Sequence, residues 1–200
     1  MSIKITEMFM SYIDDLSEAM GVKKNANSYF DIDQIKKSFA SYDNVTLERI
    51  STPTKSDLNL RFTIKNDAKG ISKATDGILN LSESNGNKEI KFIFDIDKYR
   101  IISKKFLIEE NPILSRLAPY PDEPFTEEEY LDTADYVFSE YSKDALSIIK
   151  NCFVDIEINI KGKIVSAKGG KISGSKAVFS IPVVKFLTLY EPIHLEVIYR

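Results

Sequence analysis

The chain has 200 residues, of which 43% are hydrophobic and 11% aromatic, and its formal charge of −3 comes from 27 basic and 30 acidic residues. This length and apolar content suffice for one sizeable buried core, so we expect a globular protein and not a disordered chain. Because the charges nearly balance, there is no general electrostatic attraction to nucleic acid, and we predict no nucleic-acid partner.

The charge is unevenly distributed along the chain. Residues 151–200 hold seven Lys or Arg and four Asp or Glu, a net charge of +3 (7 − 4), whereas the first 150 residues hold 20 and 26, a net charge of −6 (20 − 26). Lysines that solvate exposed strands or protect their edges are the simplest explanation of the positive region. A patch that binds an anionic surface is the alternative.

The N-terminal part has the pattern of two helices. Apolar side chains recur three or four residues apart over residues 5–20, which is typical of an amphipathic helix. Asp31, followed three residues later by Gln34, resembles a capping box and predicts a second, short helix. We therefore predict an N-terminal helical region over residues 1–42 and an α+β sheet domain over residues 43–200.

The next part of the chain alternates between strand and helix patterns. Alternating apolar side chains predict strands over residues 45–49, 58–64 and 90–96, and the last of these is apolar on both faces. A strand that is apolar on both faces is usually covered on both, so we expect it to lie centrally in the sheet. Between these strands, three- and four-residue spacing predicts a short helix over residues 69–79, and residues 84–87 form a turn.

Residues 99–125 interrupt the pattern, because four of the seven prolines lie there and disfavour a long helix or a central strand. Thr126 and Glu129 then form a capping-box pattern, and apolar residues continue at helical spacing to Ile148. This pattern predicts one helix of about 22 residues. The acidic residues near its start interact favourably with the positive end of the helix dipole, which explains them better than a calcium site does.

The last fifty residues carry the clearest strand signal. Apolar and polar residues alternate over residues 154–160 and, with one apolar exception, over residues 193–199, so each run offers an apolar face to a core. Together these elements predict an α+β fold with a mostly antiparallel twisted sheet packed against one long helix.

Few residues point to chemistry. The single cysteine, Cys152, excludes an intramolecular disulfide and a four-cysteine zinc site, and we expect it to behave as a small buried hydrophobic residue. The single histidine, His194, lies in an alternating run and is expected to be an exposed strand residue instead of a general base. No phosphate-binding loop or Gly-x-Ser-x-Gly motif is present, so we predict no catalytic residue, metal or cofactor. A hydrolase that uses two of the 30 acidic residues remains an alternative.

Residues 182–190 form a largely apolar run that contains one lysine. A twisted sheet with helices on one face often leaves an apolar opening at its edge, which suits a lipid tail or the hydrophobic segment of a partner. A loop or short helix that fills the core is the simpler interpretation of the same run. The candidate ligand-binding residues are Val183, Phe186, Leu187, Leu189 and Tyr190.

The run Gly162–Gly170, followed by Gly174–Pro182, resembles the tail of LppM-like bacterial lipoprotein domains. The resemblance covers residues 150–182. It implies an exported periplasmic or cell-surface protein with a sheet fold and no known catalytic residues, anchored to the membrane by a lipid on a cysteine outside these 200 residues.

The resulting functional hypothesis is a non-catalytic envelope lipoprotein domain that binds a lipid or another apolar ligand. A protein-interaction scaffold of the cell envelope, with an envelope protein as its partner, is the first alternative, and the hydrolase with dispersed acidic residues is the second.

Overall fold

The structure is a computed structural model that describes residues 2–21, 28–43, 45–64, 68–105, 108, 115, 119–120 and 122–200. The helices of these ranges are α1 (Glu7–Ala19), α2 (Ile32–Ala40), α3 (Ala68–Ala74), α4 (Ile96–Lys105), α5 (Glu127–Phe138), α6 (Ala145–Lys150) and α7 (Val183–Thr188). The strands are β1 (Ser2–Lys4), β2 (Val45–Ser51), β3 (Asp57–Ile64), β4 (Leu79–Ser84), β5 (Asn87–Phe94), β6 (Phe153–Asn159), β7 (Ile164–Lys168), β8 (Lys171–Ser173), β9 (Lys176–Pro182) and β10 (Ile193–Tyr199). The predicted α+β composition is confirmed. The N-terminal region contains α1 and α2 and also β1, which pairs with β3.

The described strands pair in an antiparallel manner, as predicted, but they form three sheets where one was expected. The strand orders are β1-β3-β2 in the first sheet, β4-β5-β10-β7 in the second and β6-β9-β8 in the third. The predicted central strand is confirmed, because β5 lies between β4 and β10. An alternating pattern identifies a strand and its faces but not its partner strand, so the division into three sheets could not be predicted from the sequence pattern.

The main core is built from the second and third sheets together. Its members include Phe179 of β9 and Val197 of β10, both of which are 0% exposed. The other buried members are Tyr99, Ile164, Ala177, Ile181, Leu189, Ile193 and Leu195. The inward face predicted for residues 193–199 is confirmed, and its apolar residues alternate with the exposed His194 and the half-buried Glu196.

The prediction of a single long helix after Thr126 is wrong. Two helices, α5 and α6, are present instead, and residues 139–144 separate them. Ser139 Oγ donates a hydrogen bond to the carbonyl oxygen of Tyr136 (2.9 Å), and the backbone N–H of Asp144 donates to Ser142 Oγ (3.2 Å). Short polar side chains that bond to nearby backbone groups compete with helical hydrogen bonds. The break therefore has a local chemical cause.

The capped helix α5 also does not cover the sheet as predicted. It contributes to a second core with α1 and α6, whose buried residues are Met8, Ala134, Phe138, Ala145 and Ile149. Phe9 and Tyr12 of α1 contact the ring of Phe138 edge to face, with centroid distances of 5.0 Å and 4.7 Å. Such aromatic pairs contribute about 0.5–1.5 kcal/mol beyond the burial of their area. α5 thus joins the N-terminal helix to the rest of the chain.

The capping box at the start of α5 is confirmed. Glu129 N–H donates to Thr126 Oγ1 (3.2 Å), and Thr126 N–H donates to a carboxylate oxygen of Glu129 (2.9 Å). We predict that Thr126→Ala lowers the free energy of unfolding by about 1 kcal/mol, because it removes the acceptor for an otherwise unpaired N–H. Urea denaturation checks this value, with Thr133→Ala, later in the same helix, as the control.

Acid should weaken the same capping box. The backbone and hydroxyl hydrogen bonds from Thr126 hold the pKa of Glu129 below its ordinary value. A lowered folded-state pKa means that the stabilisation is present above the unfolded-state pKa and is lost as the pH falls through the folded-state pKa. The stability difference between the unmodified protein and Glu129→Gln should therefore shrink on acidification, and a difference that grows instead would contradict this account.

The helix predicted over residues 69–79 ends earlier, and Leu79 belongs to β4. Asp76 and Gly77 have positive φ angles of 50° and 75°, and the N–H of Gly77 donates to the carbonyl oxygen of Ser72 (2.7 Å). A left-handed residue with such a backward hydrogen bond is a common way for a helix to end. The prediction was wrong at this point because helical and strand spacing overlap over a few apolar residues.

The interruption predicted over residues 99–125 is wrong for residues 99–105, which belong to α4. The first proline of this stretch is Pro112, so nothing in residues 99–105 opposes a helix. Tyr99 of α4 lies in the main core. Most of residues 106–118 lie outside the described part of the chain.

The second and third sheets have two different ends. One end, which we call the turn end, holds three short connections and the end of β10. The connections include residues 84–88, 160–163 and 173–176, and β10 ends there at residues 199–200. Lys88 lies opposite Tyr199 in the β5–β10 pair, and Lys163 and Arg200 exchange two backbone hydrogen bonds of 2.9 Å and 3.0 Å. At the opposite end, which we call the helix end, strands join α3, α4, α6 and α7. The candidate segment lies at the helix end.

Candidate functional site

The candidate segment, residues 182–190, connects β9 to β10 through α7. The N–H of Val183 donates to the carbonyl oxygen of Cys152 (2.9 Å), which ties the start of α7 to the start of β6. Leu189 ends the helix in the left-handed conformation, with φ 47° and ψ 28°. A leucine rarely adopts this conformation. Its side chain is buried in the main core, and this burial fixes the end of the helix.

The five predicted ligand-binding residues differ in exposure. Leu189 is buried, whereas Val183, Phe186 and Leu187 are half-buried, and Tyr190 is 56% exposed. Phe186 packs against the main core, with its ring centroid 6.3 Å from that of Phe94. The segment is therefore a short helix that contributes to the core, and it also presents apolar side chains to solvent.

Helix α7 also contacts the acidic helix α5. Lys185 Nζ lies 3.7 Å from Glu127 Oε1, and both side chains are about two-fifths exposed, at 40% and 41%. An ion pair at this exposure is screened by solvent and contributes little to stability. Lys185 therefore remains available to another negatively charged group beside the apolar residues of α7.

Sequence reasoning missed Phe153, the first residue of β6. Phe153 lies opposite Pro182 in the β6–β9 pair, directly before α7, and it is 48% exposed. A large aromatic residue on the polar side of an alternating strand is the signal that could have revealed it. Its position adds an exposed ring to the apolar residues of the helix end.

The environment of the single cysteine disfavours a nucleophile, and the single histidine lies on a strand. Cys152 is half-buried, and burial raises the pKa of its thiol, which reduces the thiolate that would act as a nucleophile. His194 is exposed on β10, where it pairs with Ile93 of β5. The predicted strand position of His194 is therefore confirmed.

Among the residues that the structure describes, three carboxyl groups have shifted pKa values, and all three are lowered. The pKa of Glu89 is lowered by hydrogen bonds from Lys91 and then Ser82, and that of Glu157 by hydrogen bonds from Lys176 and then Asn159. The pKa of Glu129 is lowered within the capping box. A general acid needs a raised pKa, so these three groups are unsuited to that role at neutral pH.

Within the described ranges of the chain, no three His, Cys, Asp or Glu side chains are grouped so that they could hold a metal ion. No helix in these ranges is long and apolar enough to span a membrane.

Comparison of the chain with protein-family models, with curated proteins and with solved structures found no match.

Proposed function

We propose that the protein is an exported, non-catalytic domain of the bacterial cell envelope, held at a membrane by a lipid anchor, that binds a lipid or another apolar ligand at its helix end. The observation that carries the proposal is the exposed apolar surface where β9 continues into α7. Tyr190 and Phe153 are exposed there, and Leu187 is half-buried. Exposed apolar surface in one region of a soluble domain is a common mark of a binding site.

An amphipathic ligand fits this surface better than a purely apolar one. Phe186 connects the surface to the main core, so a hydrocarbon chain that contacts it would lie on apolar side chains. Lys185, loosely paired with Glu127, can turn toward an anionic head group. We therefore favour a ligand with one long alkyl chain and a carboxylate or phosphate head.

The hydrolase alternative is less well supported by the side chains. A hydrolase requires an activated nucleophile or a carboxylic acid with a raised pKa. The thiol of Cys152 is deactivated by burial, and the shifted carboxyl groups are shifted in the unfavourable direction. These observations support a protein that binds and does not catalyse.

The proposals of export and of a lipid anchor depend on the LppM-like resemblance of residues 150–182. In the structure this stretch runs from the end of α6 through β6, β7 and β8 to the end of β9. Two of its glycines lie where a side chain does not fit: a Cβ on Gly162 would lie 2.5 Å from the carbonyl oxygen of Arg200, and a Cβ on Gly170 would lie 2.5 Å from Cδ1 of Phe179. The motif therefore supports a shared strand arrangement, from which we propose the shared location.

Titration with a fluorescent long-chain fatty acid tests the ligand site. We expect the double variant Leu187→Ser, Tyr190→Ser to bind the probe at least about tenfold more weakly, because burying each apolar side chain contributes about 1.5–3 kcal/mol. The matched control is Tyr136→Ser, because Tyr136 on α5 is 83% exposed and lies outside the site.

The proposal is contradicted if the unmodified protein does not bind the probe, or if the double variant and the control bind it equally well. Near-ultraviolet circular dichroism of each variant establishes that the fold is intact. A protein partner, instead of lipid, recovered with the chain from its own host would support the scaffold alternative.

A further inference from the structure

Positive side chains gather at the turn end, opposite the ligand site. The cationic residues there are Lys88, Lys161, Lys163, Lys176 and Arg200. The acidic residues paired with them are Glu83, opposite Lys88 in the β4–β5 hairpin, and Glu157, 2.9 Å from Lys176 Nζ. The set has a net charge of +3 (5 − 2), although the whole chain has a charge of −3.

Backbone contacts hold these residues together. The N–H of Ile160 donates to the carbonyl oxygen of Ser175 (2.9 Å), which joins the third sheet to the turn that carries Lys161 and Lys163. That turn lies against Arg200, because Gly162 has no side chain to prevent it. The cations are therefore fixed on one end of the sheets, on short turns that cannot separate widely.

The helix end carries charges of both signs. Helix α5 begins with Glu127, Glu128 and Glu129, and Glu127 contacts α7 of the helix end. The helices α3, α4, α6 and α7 of the same end together carry eight Lys or Arg residues and one Asp. The turn end differs because its cations lie on short neighbouring turns, with an excess of positive charge that attracts an anionic surface.

An exposed aliphatic residue lies beside the cations. Val165 of β7 is 51% exposed and lies two residues after Lys163, on the same side of the strand. Single-stranded nucleic acid is bound through aromatic side chains that stack on bases, whereas aliphatic residues beside lysines are typical of surfaces that enter a lipid head-group layer.

We infer that the turn end is a docking surface for a lipid bilayer with anionic phosphate head groups. Its lysines contact the head groups, and Val165 enters between them. This surface does not depend on the proposed ligand site, because the two lie at opposite ends of the sheets. A protein that docks in this way presents its helix end away from the bilayer.

Co-sedimentation with vesicles tests the inference. We expect the unmodified protein to sediment with vesicles of phosphatidylcholine mixed with phosphatidylglycerol, but not with vesicles of phosphatidylcholine alone, and to be released by high salt. The variant Lys161→Glu, Lys163→Glu should bind the mixed vesicles at least about 20-fold more weakly, since each cation near such a surface contributes about fivefold.

The matched control is Lys69→Glu, Lys143→Glu, which makes the same change of charge at exposed residues of α3 and of the connection between α5 and α6. It should retain most of the binding, and Val165→Ser should weaken binding without changing the salt dependence. The inference is overturned if the unmodified protein does not bind the mixed vesicles, if both pairs of charge reversals weaken binding equally, or if a DNA oligonucleotide binds the turn end more tightly than the vesicles do.

Discussion

Replacing Phe179 with alanine is expected to lower the free energy of unfolding by about 3–5 kcal/mol, the range for truncating a buried aromatic residue. Phe179 is fully buried on β9, in the core that β9 shares with Val197 of β10. Its removal would leave a cavity between the second and third sheets, because the backbone of both sheets is fixed by strand pairing. Urea denaturation followed by circular dichroism measures the change.

The control for this truncation is Tyr136→Ala. Tyr136 is the most exposed of the large hydrophobic residues that the structure describes, so its truncation should change stability by no more than about 0.5 kcal/mol. If Phe179→Ala costs less than about 1 kcal/mol, the two sheets do not share a packed core.

Replacing Gly170 with alanine is expected to destabilise the protein by about 1–3 kcal/mol through overpacking. A Cβ at this position would lie 2.5 Å from Cδ1 of Phe179 and 2.8 Å from the carbonyl oxygen of Val178. Neither atom can move easily, because the ring is buried and the carbonyl belongs to β9. Thermal and urea unfolding of the variant measure this penalty.

A double-mutant cycle isolates the contact with the ring. The penalty of Gly170→Ala should be smaller in a Phe179→Leu background, because the smaller side chain leaves room for the added methyl group. A part of the penalty should remain, since the clash with the carbonyl oxygen of Val178 is unchanged. Strict additivity of the two substitutions would show that the ring and Gly170 are not in contact.

The parts of the fold that were predictable from the sequence are those with a local cause. The alternation in residues 193–199 identified β10 and its buried face, and Thr126 with Glu129 identified the start of α5. The Asp31 cap of α2 is confirmed in the same way, with its carboxylate accepting from the N–H of Gln34 (2.8 Å). In each case neighbouring residues make the decisive contacts.

The parts that were missed depend on contacts between distant residues or on details of one turn. The pairing of β1 with β3 and the separation of three sheets are set by packing across the chain, which alternation does not record. The break after α5 depends on hydroxyl groups of Ser139 and Ser142, and the same residues are compatible with a helix when they point to solvent.

The sequence identified the residues of the candidate segment but not how deeply each side chain is buried. Composition alone singled out residues 182–190, and it also allowed a helix that fills the core. The structure contains both features, because Leu189 is buried while Tyr190 next to it is exposed. The left-handed conformation of Leu189 turns the chain between these two residues. A leucine rarely adopts this conformation, so the sequence does not predict the turn.

Native mass spectrometry of the protein purified from its own host tests the proposed function most directly. We expect a bound species with the mass of a single-chain anionic lipid, present on the unmodified protein and on Tyr136→Ser and depleted on Leu187→Ser, Tyr190→Ser. Spectra that show only the unliganded mass for the unmodified protein, or equal lipid occupancy in all three proteins, would contradict ligand binding at the helix end.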